Sequence, residues 1–414
     1  MIENVKLLLG DTGQPRVEHL EQLLSALNTR LVKVLMGQRR AGKSYLLRQI
    51  IQSLIEKGIA PEEIFYLNKE LNEFDDIADY KQLIALIEAH KLKHALDKKL
   101  YIFLDEIQWI SGWEKAVNSL SQHPSHAYDI IISGSNSDLL RGELATLLSG
   151  RYIVFEILPF SYDEFCGITK QEKSKASYIQ FLQQGGLPEM FHLQNESLRR
   201  HYIMSLLDTI ILKDIAFRYH IKDTFLLERL FLFLTNNISN LFSVNKIVDH
   251  LKSHGIKTNV ETLSNYLSYL TRTYLLHEVD RYDIKGKEIL SSSRKYYLND
   301  LGFRAYLSSQ FDPSLSKPLE NSIYLHFRRK GFQVYTGKLN QLEIDFIAEK
   351  NGTRIYIQVA HTLSDESVVA REFGNLELIH DAHRKVVITL DDVSYGNRNG
   401  IEHLLAWELD RYVF

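Results

Sequence analysis

Residues Gly37-Gln38-Arg39-Arg40-Ala41-Gly42-Lys43-Ser44 follow the spacing G-x-x-x-x-G-K-[ST], and few short patterns restrict a chain so tightly. The pattern makes a phosphate-binding loop only where a strand enters it and a helix leaves it. Here the apolar run Leu31 to Met36 enters, and the apolar-periodic stretch Tyr45 to Leu54 leaves. Gly37 and Gly42 let the backbone curl until its N–H groups face inward. Those groups and the positive end of the following helix form an anion cradle. Contacts to a nucleotide are expected from Gly37, Gln38, Arg39, Arg40, Ala41, Gly42, Lys43, Ser44 and Tyr45. Lys43 is expected to reach the β- and γ-phosphates, and the Ser44 hydroxyl to ligate Mg²⁺.

A phosphate loop alone implies binding, not hydrolysis. The apolar run Leu100-Tyr101-Ile102-Phe103-Leu104 stops at Asp105-Glu106. Continuous apolarity fits a parallel strand buried on both faces, and ligands sit at the carboxyl ends of such strands. Asp105 is expected to hold Mg²⁺ through its water shell, and Glu106 to orient and activate an attacking water. Further strands are predicted at Ile64 to Leu67, Asp129 to Ser133 and Tyr152 to Glu156, giving about five parallel strands alternating with helices.

Length and composition bound the rest. The chain has 414 residues, which suggests about two to four domains, and 45% hydrophobic with 24% charged residues is the composition of a soluble globular protein. A net charge of −3 gives no global attraction to nucleic acid, so any such contact must be a local patch. The one cysteine, Cys166, excludes an internal disulfide and fits a reducing cytoplasm. No apolar stretch approaches the ~20 residues of a membrane span. Met1-Ile2-Glu3-Asn4 lacks the basic start of an export signal, and a cytoplasmic location is expected.

Several motifs recur together in one group of proteins. They are the loop Gly37 to Ser44, Leu104-Asp105-Glu106-Ile107-Gln108, Trp109 and Trp113, Ile132-Ser133-Gly134-Ser135-Asn136, Leu148-Ser149-Gly150-Arg151 and Leu158-Pro159-Phe160-Ser161. On these the chain resembles prokaryotic AAA-type ATPases with a C-terminal domain of unknown function, related to the archaeal ATPase and STAND-like group. Gln183-Gln184-Gly185-Gly186-Leu187-Pro188-Glu189 is similar to that group's linker motif. The resemblance implies ATP and Mg²⁺ as cofactors. It also implies a polar sensor at the end of the Ile130–Ile132 strand, for which Asn136 is the candidate and Ser135 the neighbour. The competing reading of Asn136 is a cap for a helix near Asp138. Arg151 is a candidate for reaching a nucleotide in the same or a neighbouring subunit, or an ordinary surface arginine. Arg39 and Arg40 are similarly ambiguous. A clear sensor 2 arginine and a conventional AAA+ lid are missing from the pattern, which puts ring assembly in doubt.

The text changes to helices after Tyr162. Tyr178 to Gln184 and Ser197 to Phe217 read as amphipathic, with Lys213-Asp214 and Arg218 as exposed positions. Leu226 to Leu234, Val244 to Lys252 and Asn259 to Arg272 are three further helices. Leu276 to Tyr282 and Ile289 to Tyr297 form a hairpin. This order predicts a winged helix-turn-helix. Its third helix presents Lys257, Thr258, Asn259, Thr262 and Tyr266, and its wing presents Arg281, Lys285 and Lys287. DNA contact is expected through Lys257, Asn259, Thr262 and Lys285, with a protein-contact module as the alternative. The last segment resembles the PD-(D/E)xK nuclease fold. Asp345 fits one acid and Glu320 the helix acid. At the third strand, however, Gln358-Val359-Ala360 replaces the second acid and the lysine. Glutamine is a weak metal ligand and alanine cannot stabilise hydroxide, so a fold that no longer cuts is expected unless His361 or Lys338 rescues it.

The fold class expected is therefore α/β: a parallel P-loop sheet with helices, then a helical linker, a winged helix and a small restriction-endonuclease-like α/β domain. The boundaries are 1–160, 161–222, 223–312 and 313–414. The expected function is an Mg²⁺-dependent ATPase switch. The rivals are a regulatory binding module with little turnover and an ATP-regulated nuclease.

Overall fold

The protein, seen as a computed structural model, is described at residues 10–123, 127–141, 146–308 and 314–414. The extreme N-terminus and the expected boundary at 312–313 lie outside the described residues. Two compact units account for the chain: residues up to Leu158 with Arg272–Tyr274, and Pro159–Thr271 with Leu275–Phe414.

In the first unit, β1 (Val32–Met36), β3 (Leu100–Asp105) and β4 (Tyr128–Gly134) are buried along their whole length. That is why they read as largely apolar runs, interrupted by Lys33 and Asp129, rather than as alternating ones. With β2 (Ile64–Asn68) and β5 (Tyr152–Glu156) they form a parallel sheet in the order β2-β3-β4-β1-β5. Alternate residues enter two cores. Val34, Ile102 and Ile132 meet Leu83 and Ile87 of α3 (Tyr80–Lys93) and Trp113 and Val117 of α4 (Trp113–Ser121). Leu35, Phe103 and Ile131 meet Leu23 of α1 (Val17–Ala26) and Leu46, Leu47 and Ile50 of α2 (Lys43–Glu56).

The second unit begins with α5 (Tyr162–Thr169). The Ser161 Oγ accepts from Glu164 N–H and the Glu164 carboxylate accepts from Ser161 N–H, a reciprocal cap that gives the Leu158-Pro159-Phe160-Ser161 motif a local reason. Then come α6 (Lys175–Gln184) and α7 (Glu196–Thr209), which continues as a π-helix over Ile210–Phe217. Asp214 in that segment is buried rather than exposed. Gly186 lies between α6 and α7. Its N–H donates to Asp300 Oδ2 at 2.6 Å, and its carbonyl accepts from Phe160 N–H at 2.8 Å. A Cβ there would overlap the Phe160 carbonyl. Gly186→Ala should therefore cost about 1–3 kcal/mol of stability in urea unfolding; an unchanged midpoint would refute the close approach.

The following elements are α8 (Thr224–Asn236), β6 (Leu241–Phe242), α9 (Val244–Ser253), α10 (Val260–Arg272), β7 (Leu276–Asp283) and β8 (Glu288–Leu298). The expected helices and hairpin occur within a few residues of their predicted bounds. One position differs. Tyr266 is buried, because Leu263, Tyr266, Leu267 and Leu270 form the inward stripe of α10.

After α11 (Gly302–Leu307) and α12 (Ser316–Arg329) come β9 (Gln333–Leu339), β10 (Leu342–Lys350), β11 (Thr353–Ala360), α13 (Glu366–Glu377), β12 (Arg384–Thr389), β13 (Asn397–Arg398) and β14 (Ile401–Leu405). β9 to β11 form an antiparallel meander, and β12 and β14 add in parallel. β7 also pairs with β9, through Arg281↔Thr336, Tyr282↔Gly337 and Asp283↔Lys338. The hairpin and the C-terminal strands thus share one sheet, β13-β14-β12-β11-β10-β9-β7-β8-β6. α13 covers one face, with Phe373 and Leu376 against Ile347, Tyr356 and Val387. On α12, Tyr324 stacks on Tyr297 of β8 at 4.6 Å.

Candidate nucleotide site

The chain leaves β1 at Met36, curls through residues 37–42 and enters α2 at Lys43. Gly42 stands before the first turn in the left-handed region at φ 96°, a conformation costly for any residue with a Cβ. The first-turn N–H groups of α2 therefore face the concave side of the loop, where an anion is favoured. Lys43 is buried, and its ammonium donates to the carbonyls of Gly37 at 2.9 Å and Gln38 at 3.0 Å. Phosphate oxygens can replace those carbonyls as acceptors of the Lys43 N–H groups. Arg39 pairs with Glu70 at 2.7 Å, whereas Arg40 is exposed. Tyr45 faces outward, its hydroxyl donating to Asp11 Oδ2 at 3.0 Å.

Asp105 closes β3 and is fully buried. Its carboxylate accepts from the hydroxyls of Tyr66, at 3.3 Å, and Ser133. Glu106 follows in the left-handed region at φ 55°, so the chain turns at the strand tip and its side chain is aimed away from the β3 line. Its Oε1 lies 3.8 Å from Lys43 Nζ. Its Oε2 accepts from Ser135 Oγ at 3.2 Å and from the Gln108 amide. Burial raises the Glu106 acid above its ordinary range, and the Lys43 ammonium opposes that rise. One anion-binding cradle, one buried cation and two carboxylates thus converge at the carboxyl ends of β1 and β3. Ser44 and Asp105 are the oxygen donors suited to Mg²⁺, whose preference is for hard oxygen ligands.

The structure orders the sensor candidates. Ser135 touches Glu106, whereas the Asn136 Oδ1 accepts from Asp138 N–H at 2.8 Å and caps the short helix Ser137–Leu140. Asn136 thus makes the capping contact. Arg151 is not brought to this site. Tyr152 pairs with Val32 at the start of β1, and the loop follows Met36 at its end. Five residues of strand separate them, roughly 16 Å, beyond the reach of an arginine side chain within one chain.

Three supports lay outside the sequence reading. Tyr66 and Ser133 hold Asp105, and Ser133 was discoverable because it shares a strand face with Ser135. Arg16 is buried and donates to the carbonyls of Ala41 at 3.0 Å and Leu158 at 2.8 Å, bracing the loop from behind. Nothing local in the sequence marks Arg16 for that position.

This strand order and glycine loop define a P-loop AAA-type ATPase domain, and residues 29–166 match the AAA domain family. Residues 175–314 match a domain of unknown function, DUF8612. The chain belongs to the same family as an uncharacterized protein of Haemophilus influenzae, 36% identical over 403 residues that span 95% of this chain and 98% of that one. An uncharacterized protein of Methanocaldococcus jannaschii is 29% identical over 382 residues, 88% of this chain and 83% of its own length. Among solved structures, the Walker-type ATPase of Pyrococcus abyssi aligns with a TM-score of 0.48 and 16% identity, over 71% of this chain and 96% of that one. No helix among the described residues is long and apolar enough to cross a membrane.

Proposed function

We propose that this chain is an Mg²⁺-dependent ATPase acting as a nucleotide-driven switch on its C-terminal parts. The observation that carries the reading is the 3.8 Å approach of Lys43 Nζ to Glu106 Oε1 at the mouth of the glycine loop. It puts a phosphate-neutralising cation beside a carboxylate able to orient water. Residues 37–44 cradle the phosphates, with Lys43 on the β- and γ-oxygens and Tyr45 turned outward toward Asp11. Ser44 and Asp105 hold Mg²⁺, which supplies charge neutralisation there. Glu106 aligns the attacking water, with Ser135 and Gln108 fixing its rotamer. Asn136 tunes the loop that carries Ser135. Arg151, out of reach within one chain, acts on a nucleotide held by a second copy of the chain.

The order α8-β6-α9-α10-β7-β8 supports a winged helix within residues 223–312, joined to the ATPase through residues 161–222. Lys257 and Lys285 are exposed and suited to DNA phosphates, with Thr262 beside them. Asn259 Oδ1 accepts from Thr262 N–H at 2.8 Å, so its part is to start α10 and set that surface. Residues 313–414 form the nuclease-like part, read as non-cutting. Lys338 sits 3.3 Å from Asp283, which leaves it paired there rather than directed at Asp345 as a rescue group. The reading is tested by steady-state ATP turnover with and without duplex DNA. Turnover should be present and should change on DNA addition. A chain that binds no nucleotide in calorimetry would refute the reading at its root.

A further inference from the structure

The densest group of charges outside the nucleotide site lies between α12 and the shared sheet. Lys295 on β8 is almost wholly buried. A strand alternates its faces, so Lys295 and Tyr297 point the same way. The Lys295 ammonium donates to Glu320 Oε1 at 2.9 Å and Glu343 Oε1 at 2.7 Å, and stands 3.9 Å from Asp345 Oδ1. Tyr297 O–H donates to the same Glu320 oxygen at 2.7 Å. The other Asp345 oxygen accepts from Val359 N–H at 2.8 Å. Gln358, at the position of the missing second acid, spends its carbonyl on Asp345 N–H at 2.8 Å.

An acid on a helix, an acid on a strand and an intervening cation is the geometry a divalent ion would make. Among the described residues, no group of three or more His, Cys, Asp and Glu side chains is placed to hold a metal. The reason here is physical: the centre is filled. An ammonium buried among carboxylates is favoured only when its hydrogen bonds are satisfied, and Lys295 has two short ones. Burial pulls this ammonium toward losing its proton, but Glu320, Asp345 and Glu343 together hold it protonated above the ordinary lysine range. A protonated lysine with two of its three donors engaged is neither a base nor an activator of water.

We infer that the Lys295 ammonium is the resident cation of this pocket, standing where a divalent ion would bridge Glu320 and Asp345, so that the pocket takes no metal while Lys295 is present. The charge that a nuclease of this outline draws from solution is built into the chain, and it is delivered by β8, from outside the C-terminal segment. The pocket is thereby a fixed joint between β8, α12 and β10. This inference does not depend on ATP binding.

The test is Mn²⁺ binding at pH 8 without nucleotide, followed by electron paramagnetic resonance on the full chain. Wild type should hold no tightly bound Mn²⁺. Lys295→Met should gain one site per chain, at least about tenfold tighter than anything in wild type, and adding Asp345→Asn should remove it. Wild type that binds one Mn²⁺, lost in Asp345→Asn, overturns the inference, and this arm needs no Lys295 variant to fold. Lys295→Met with an unchanged melting curve and no gained site also overturns it. If that variant melts early, Lys295→Gln keeps a polar, uncharged hydrogen-bonding end on a side chain one atom shorter and carries the same two outcomes.

Discussion

Glu106→Gln should lower ATP turnover by about 10²–10⁴-fold while leaving ATP affinity within a few-fold. The amide keeps the size of the side chain and can still meet Ser135 and Gln108, so the glycine loop should be undisturbed. What it cannot do is accept a proton from water. The variant should therefore hold ATP, and filter-retained nucleotide should be mostly triphosphate, whereas wild type should retain mostly diphosphate. Lys43→Ala should behave differently, losing affinity itself, because Lys43 meets the phosphates in the ground state as well as during transfer. Turnover in Glu106→Gln within threefold of wild type would remove Glu106 as the group that handles water, and would leave Asp105 or Ser135 to be tested in its place.

Breaking the ion pair between Lys33 and Asp129 should be the most damaging single change to stability in the first unit. Lys33 on β1 and Asp129 on β4 lie 2.6 Å apart, and both side chains have 0% exposure. Asp129 also accepts from Asn28 N–H, and Lys33 donates to the Thr29 carbonyl at 3.4 Å. Burial alone pushes the Lys33 ammonium toward its neutral form, and Asp129 opposes that. Removing either partner leaves a buried charge with no counter-ion, so Lys33→Met or Asp129→Leu should each cost about 3–5 kcal/mol in urea unfolding. The double variant Lys33→Met/Asp129→Leu should recover most of that loss, since two packed apolar side chains replace a pair whose desolvation was costly. The pair lies at the amino ends of the strands, away from the nucleotide loop, so turnover per folded molecule should hardly change. A double variant as unstable as the worse single one would show that the pair contributes much more than its own desolvation cost.

The features legible in sequence are those whose partners are near in the chain. The loop 37–44 and the acids at 105–106 were readable because strand, turn and helix follow one another directly. The bounds of α8, α9, α10, β7 and β8 were readable for the same reason. Tyr266 was misplaced because a tyrosine among serines and asparagines looks polar until the spacing to Leu263 and Leu270 is counted. Asp391 reads as a solvated turn, yet it is buried and braced by Thr362, Thr389 and Leu363 N–H, contacts that only the folded chain assembles. The strands β13 and β14 escaped notice because one is two residues long and the other follows it closely. Lys295 sits in a strand whose sequence reads as an ordinary wing. Its importance depends on acids brought from α12 and β10, which no local pattern reveals. Arg16 and Ser133 are cases of the same kind, each known by what it touches across the fold.

The three-residue pairing of β7 with β9 carries a practical consequence. A gene cut near residue 308, made to isolate the hairpin half from the last hundred residues, would strip β7 of its neighbour and bare a row of amides and carbonyls. Such a fragment would be prone to self-association for reasons unrelated to its biology. The two halves are sewn along a shared ladder, so an exchange of either one between related chains should be tolerated only when its strand partner travels with it.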